Sequence, residues 1–549
     1  MYNHEYCNAT RIFSPNKCDT HHGWKISCAL GNFTTVRHMS FSTSSMIDET
    51  SAHLKSPHIP TSLDILPLIS PSTLDSISML PEIQSLFSSS SNLTNNRAIE
   101  LIQRAKDVFS SIPTSQTPPN ENPLIAVLLL LAHFQSNAFQ CQDASSTIRS
   151  IRSILSLYNE ENKFEIKKHD TVNLDMGLIY AQAKVEWNAG NFKESERLAM
   201  ELKHILDSLS QNKSNPTMKY FQHLNMLGLS KLCMFAHDFV VEGDTDSLAE
   251  SNLQSMLKSL EQIIDMTKEI DLESLSGLNF VRAQAYTNYG IAQMIAYLAS
   301  LQIDENNLLT ESIPTILDAR ESWTNAMAIA ESILDIVSKE TDDETYEMML
   351  IKSKAKLIKA NLECIIAQSI LFPTGVDINP PKELNPDELK VASKLSRKAL
   401  LAYDELIASV ATSEKEANTI SIEQLQVLFP LEPLMARALS LVAICYVHAD
   451  SAVTAQGLFQ SSLDVYEPSS STQSNSDHKK TLEKLNLLSP FTQMYHRDTL
   501  ERYATLCQNW EKRENEAVSY LKKKDLMKKD QMSDGWRYQP GIMGGLFFF

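Results

Sequence analysis

Met435–Pro468 reads MARALSLVAICYVHADSAVTAQGLFQSSLDVYEP. Two apolar segments flank a short polar break at His448–Ser451. In the second segment Ala455, Phe459 and Ser462 stand four and three residues apart. A 3.6-residue period puts all three on one face, a small–large–small stripe. The first segment carries Ala443 and Tyr446, a small and an aromatic residue placed to meet that stripe. Two helices approach closely where one offers small side chains and the other fills the gap. The stretch is predicted to be an antiparallel helical hairpin.

Weaker versions of the pattern recur outward from it. Ala98, Ile102, Ala105, Phe109 and Ile112 fall on one helical face. Leu124–Phe139 and Ala144–Tyr158 form a second candidate pair. Met176–Ala189 is predicted to end at Gly190-Asn191, where glycine permits the left-handed turn that stops a helix. Its partner carries Phe192, Ser195, Ala199, Leu202 and Leu206 at helical spacing. Residues 216–240 pair with 246–269 across Glu242-Gly243-Asp244, and Phe280–Leu301 pairs with Ile316–Val337. In the latter, Ala319, Trp323 and Ala326 repeat the spacing of Ala455, Phe459 and Ser462. Glu344–Phe372 and Asp387–Ala408 follow, and Phe491–Tyr520 with Leu521–Met532 are expected to close the array as a polar cap.

These paired segments resemble the tetratricopeptide repeat (TPR), in which small residues let two antiparallel helices approach and an aromatic fills the hole between them. The resemblance spans roughly 124–467 with gaps and lacks the constant period of about 34 residues. It implies an all-α, TPR-like α-solenoid of antiparallel helix pairs. The domain organisation read from the sequence is an organellar transit peptide over 1–46 and a Ser/Pro-rich linker with short helices over 47–92. The helical repeat array follows over 93–467, then a polar loop over 468–489, capping helices over 490–532 and a tail over 533–549.

Composition agrees with stacked helices. The chain has 549 residues, 43% of them hydrophobic, so a large core is affordable in area. Glycine numbers only 14, few for a sheet-rich enzyme with glycine turns. The net charge of −18 argues against a general nucleic-acid binder, whose footprint is basic. DNA is therefore not an expected partner. Cys141, Cys233, Cys364, Cys445 and Cys507 sit dispersed among apolar residues, as free buried thiols in a reducing compartment do. No transmembrane helix is expected.

Residues 1–46 differ from the rest. Only Glu5 and Asp19 are acidic, against Arg11, Lys17, Lys25 and Arg37, and Arg37 precedes a Ser/Thr-rich run. That composition resembles a mitochondrial presequence. A second reading of the same stretch is a zinc site from His4, Cys7, Cys18 and His21, with His22 and Cys28 nearby, although the spacing fits no zinc-finger pattern.

Motifs for chemistry are absent. The chain has no GxxxxGK[ST] or GxGxxG phosphate loop, no GxSxG elbow and no HExxH pair. Glu201-x-x-His204 lacks the second copy that a di-iron bundle requires. No catalytic residue, cofactor or metal is expected. Lys522–Lys524 with Lys528-Lys529 make a short basic patch. The final Leu-Phe-Phe-Phe would cost roughly 1.5–3 kcal/mol for each side chain left in water. It is expected either to dock in a groove of its own array or to meet a partner or a membrane.

The expected function is a non-catalytic scaffold or assembly factor of the mitochondrion, holding a partner peptide or helix along the inner face of a superhelix. Lys184, Asn288 and Gln293, on first helices of their pairs, are the expected partner-binding residues. The alternatives are an organellar RNA-binding helical-repeat protein, disfavoured by the acidic charge, and a membrane-associated assembly factor contacting lipid through the tail.

Overall fold

The computed structural model describes residues 68–83, 95–109, 121–161, 168–209, 218–237, 250–269, 277–301, 313–339, 346–373, 384–412, 431–466, 490–510, 512–530, 536 and 541–546. The basic segment 1–46 with its zinc-donor residues, the Glu242-Gly243-Asp244 turn and Phe547–Phe549 lie outside them.

Among the described residues there are 16 α-helices and no strand. In chain order they are α1 (Pro71–Ser78), α2 (Asn95–Phe109), α3 (Pro123–Asn137), α4 (Cys141–Glu161), α5 (Lys168–Asn188), α6 (Phe192–Leu209), α7 (Met218–His237) and α8 (Glu250–Thr267). Then come α9 (Gly277–Ser300), α10 (Ile316–Lys339), α11 (Tyr346–Leu371), α12 (Pro386–Thr412), α13 (Leu431–His448), α14 (Ala452–Tyr466), α15 (Pro490–Gln508) and α16 (Glu514–Asp530). A 3₁₀ turn, Gly541–Gly545, follows.

Local chemistry starts several helices. Asn122 accepts from the Leu124 N–H at 2.9 Å, and Pro123 occupies the first turn of α3, where its missing N–H costs nothing. Asn385 and Pro386 begin α12 in the same way. At α10, Thr315 and Asp318 exchange backbone-to-side-chain bonds in a capping box. Those bonds hold the Asp318 carboxyl below its ordinary range.

Three hairpins share one turn. Phe139, Gly190 and Asp450 have φ of 55°, 80° and 56°, in the left-handed region. In each, the next residue donates its N–H five residues back: Gln140 to Gln135, Asn191 to Glu186, and Ser451 to Tyr446. This double turn satisfies the orphan carbonyls at the end of the first helix. Its register places Ala132, Ala183 and Ala443 at one position of the first helix, and Ala144, Ser195 and Ala455 at one position of the second. All six are buried.

Helices adjacent in the chain pack on each other from α2 to α16, apart from breaks in description. Beyond that, α5 touches α7, α7 touches α9, α9 touches α11, α11 touches α13, and α13 touches α15. The odd-numbered helices therefore form one layer and the even-numbered helices cover it. The two kinds of helix differ in sequence accordingly. Even helices are amphipathic: α6 buries Phe192, Ser195, Leu198, Ala199, Leu202 and Leu206 on one face. Odd helices such as α7, α9 and α13 are buried on nearly every side. Small residues on odd helices receive large ones from even helices. Gly290 of α9 lies against Trp323 of α10, whose indole N–H donates to the Thr287 carbonyl at 3.2 Å. Gly228 of α7 meets Leu260 of α8.

Helix α13 is long and apolar enough to cross a membrane by composition, but 72% of that window is buried inside the protein, as in a core helix. The linker helix α1 docks on α3, burying Ile69, Ile77 and Ile83 in a cluster with Ile99 and Ile102. At the far end, the break predicted at Tyr520/Leu521 falls instead around Asn509–Arg513, where Lys512 has φ of 69°. Helix α15 is not polar. It buries Phe491, Met494, Tyr495, Leu500 and Tyr503 and belongs to the inner layer. Its charged residues conceal this from a reading by composition.

Of the cysteines, Cys233, Cys364, Cys445 and Cys507 are buried free thiols and Cys141 is half-buried. Burial pushes the Cys364 thiol up to about 11.

Candidate functional site

Helix α13 carries one cation in an otherwise apolar core-facing stretch, Arg437. A buried guanidinium requires acceptors, because its five N–H donors lose water together. Arg437 finds three. It donates to Gln368 Oε1 at 2.7 Å and to Asn361 Oδ1 at 3.1 Å, both on α11, and to the Tyr495 hydroxyl of α15 at 3.4 Å. The guanidinium also lies 4.8 Å from the centre of the Tyr495 ring.

Each of two of these partners passes a donor onward. Asn361 Nδ2 donates to the Gly545 carbonyl at 3.0 Å, and the Tyr495 hydroxyl donates to the Gly544 carbonyl. Consecutive main-chain carbonyls of the segment 541–546 are thus read by two side chains that one arginine orients. Burial pushes the Tyr495 phenol up, opposed by the neighbouring Arg437 charge, so it stays a protonated donor.

The segment sits on α9, α11 and α15. Ile542, Met543 and Leu546 are buried, and Leu546 donates its N–H to the Met543 carbonyl at 3.1 Å. Both central positions are tight, Gly544 against a ring and Gly545 against the tip of an isoleucine. A Cβ on Gly544 would stand 2.5 Å from Tyr495 Cε1, and one on Gly545 would stand 2.5 Å from Ile365 Cδ1. Beside the seat is a cavity of about 10 Å³, room for about one water, lined among others by Arg437, Ser440, Asp498 and Gly541. Burial raises the Asp498 carboxyl, with Arg502, 3.6 Å away, opposing it.

Upstream, Trp536 closes a separate contact. Its ring lies 4.5 Å from Trp187, 5.3 Å from Phe192 and 5.1 Å from Phe491. The end of α5, the start of α6 and the start of α15 therefore meet around one indole. Offset and edge-on ring pairs of this kind add about 0.5–1.5 kcal/mol each beyond area burial.

The predicted partner-binding residues are placed as follows. Lys184 is buried on α5, its ammonium 5.4 Å from the Tyr180 ring. Asn288 is buried on α9 and donates to Asn225 Oδ1 of α7 at 2.8 Å. Gln293, also on α9, accepts from the Ser322 hydroxyl of α10 at 2.7 Å. The bonds of Asn288 and Gln293 join neighbouring helices. Arg437, Asn361, Gln368 and Tyr495 were not anticipated. A lone arginine inside the apolar run of α13 was the available signal.

Elsewhere, Glu201 of the Glu201-x-x-His204 motif is engaged by Arg152 at 2.5 Å and Arg197 at 3.1 Å. Among the described residues no group of three or more His, Cys, Asp or Glu side chains could hold a metal. An open surface pocket of about 430 Å³ is lined by Arg149, Arg152, Ser153, Leu155, Ser156 and Asp175. Arg152 is already paired there with Asp175 at 3.1 Å, which leaves little positive field for an anion. In the basic patch, Lys524 turns inward and pairs with Glu501 at 2.7 Å. No protein-family model matches this chain, and no curated protein matches it.

Proposed function

We propose that this chain is a non-catalytic protein–protein interaction scaffold, a TPR-like α-solenoid that binds a partner peptide or helix along its inner layer of helices, and that it works in the mitochondrion. The observation that carries the reading is the occupied seat. Helices α9, α11 and α15 already hold a polypeptide segment through its backbone carbonyls and apolar side chains. Inner faces of stacked helix pairs hold partner peptides by the same physics, with main-chain bonds for affinity and pockets for specificity.

The shared hairpin turn and the buried small residues at equivalent positions support the likeness to TPR units. The basic, acid-poor composition of 1–46 supports import into the organelle.

The test is affinity purification of the full chain from native cells, with mass spectrometry of the bait's N-terminus and its companions. A bait beginning near Ser40, with stoichiometric mitochondrial companions, is the expected result. A bait beginning at Met1 overturns the localisation, and the absence of any companion overturns the scaffold.

A further inference from the structure

We infer that the seat formed by α9, α11 and α15 is a peptide-binding site selective for an Ile-Met-Gly-Gly-Leu-like segment, and that residues 541–546 are its cis ligand, which a partner polypeptide of the same pattern displaces. The inference rests on the scaffold reading above and gives its ligand a chemistry.

Three features of the seat carry it. First, recognition runs through the backbone. Asn361 and Tyr495 donate to the carbonyls of Gly545 and Gly544, groups that every polypeptide has. Second, selectivity comes from shape. The two missing Cβ atoms let the segment approach Tyr495 and Ile365, and the side chains of Met543 and Leu546 fill buried apolar space on either side. A ligand with any larger residue at either glycine would have to push back the Tyr495 ring, which Arg437 holds, or Ile365. Third, the seat is polar at its centre. A permanent core contact between helices is made as well or better by apolar side chains of equal volume, without the desolvation of a guanidinium. Arg437, Asn361, Gln368 and Tyr495 instead form a preorganised set of donors and acceptors, as in a ligand site with few polar groups in an apolar lining. Ser440 Oγ in the adjoining cavity has no hydrogen-bond partner, so the resident segment leaves polar capacity unused.

A tethered ligand acts at an effective concentration on the order of millimolar, so a free peptide with the same contacts competes poorly against it. Releasing the segment must therefore reveal the site. The experiment uses the full chain carrying Gly544→Val and Gly545→Val, with the seat untouched, and a fluorescent peptide of residues 536–546 in the native sequence. The variant is expected to bind the peptide at least ten-fold more tightly than the wild-type chain does. A peptide with valine at both glycines is expected to show no saturable binding. A variant that keeps its helical circular dichroism yet binds the native peptide no better than wild type overturns the inference.

Should the double variant fail to fold, Trp536→Ala in the full chain removes the segment's anchor while leaving seat and glycines intact. It must show the same direction of change, and a folded Trp536→Ala chain without that gain overturns the inference equally. The two readings fail separately. Companions in the purification without peptide binding remove the seat as a ligand site and leave the scaffold, whereas peptide binding without companions does the reverse.

Discussion

Trp536 donates its indole N–H to the carbonyl of Trp187 at 3.1 Å, across 349 residues of sequence. The same carbonyl accepts the Gly190 N–H at 2.9 Å in the turn that ends α5. A carbonyl that the turn already bonds once thus takes a second donor from a residue far along the chain. Truncating a buried tryptophan costs about 3–5 kcal/mol when the cavity persists. Here the loss is expected to appear locally. In Trp536→Ala, amide protection over 541–546 should fall by orders of magnitude while helix content is unchanged, as read by hydrogen exchange and circular dichroism. Protection equal to wild type would show that Trp536 does not anchor the segment.

Arg437→Met keeps the volume of the side chain and removes every donor. Gln368, Asn361 and Tyr495 then lose a shared partner in a dry site, at about 1–3 kcal/mol for each polar group left unsatisfied. Arg437→Lys should recover little, because one ammonium does not reproduce a planar fork reaching three acceptors. Urea unfolding midpoints of the two variants measure both effects. A methionine variant as stable as wild type would count against the network.

Two helical glycines should respond in opposite directions to alanine. At Gly290 the new Cβ would stand 2.4 Å from Trp323 Nε1 and 3.0 Å from the Ala319 carbonyl oxygen, so α9 and α10 must separate. Overpacking of this kind costs about 1–3 kcal/mol. At Gly457, exposed on α14, nothing lies within 4 Å, and alanine should stabilise by about 0.5–1 kcal/mol through helix propensity. Paired denaturation curves decide the sign at each position.

Two buried groups should make opposite contributions to the pH dependence of stability, both below neutrality. Burial holds His223 down at about 4, with its Nδ1 2.8 Å from the Ala199 carbonyl of α6. The unfolded ring protonates near 6.5 and the folded one only near 4, so the stability present above 6.5 is lost as pH falls through that window. Glu363 behaves inversely. Burial raises its carboxyl to about 7, against the attraction of Lys359 and Lys398. Its contribution is complete below 4.5 and is lost as pH rises to about 7. Each window is worth about 3 kcal/mol at most, at about 1.4 kcal/mol per pH unit. Between 4.5 and 6.5 the two windows overlap with opposite slopes, so Glu363→Gln should make stability rise more steeply with pH there and His223→Asn should flatten or reverse the rise. Unaltered slopes would sink the assignment.

The helices were legible because their signals are local. The stripe Ala455, Phe459 and Ser462 and the stop at Gly190-Asn191 both act within a turn or two. The boundary after α15 was misplaced because the left-handed turn falls on Lys512, with φ of 69°, rather than on Asn509. The inner position of α15 was missed for a related reason. Its buried Thr492, Gln493, His496 and Thr499 count as polar in composition, yet they face the interior. The seat was illegible because it depends on distance in sequence. Asn361, Arg437, Tyr495 and Gly545 come from α11, α13, α15 and the final turn, and no local period relates them. Of the terminal Leu-Phe-Phe-Phe, Leu546 is buried against the array, and Phe547–Phe549 lie outside the described residues.

The bond from Asn361 to Gly545 spans 184 residues, which sets an order of events during synthesis. At 5–20 residues per second, Asn361 is made about 10–40 s before its ligand carbonyl exists. Arg437 follows Asn361 by 76 residues and Tyr495 follows Arg437 by 58, so the guanidinium, the amides and the phenol are assembled only late in that interval, before the segment that covers them. On every round of translation the polar centre of the fold is therefore built before the segment that covers it.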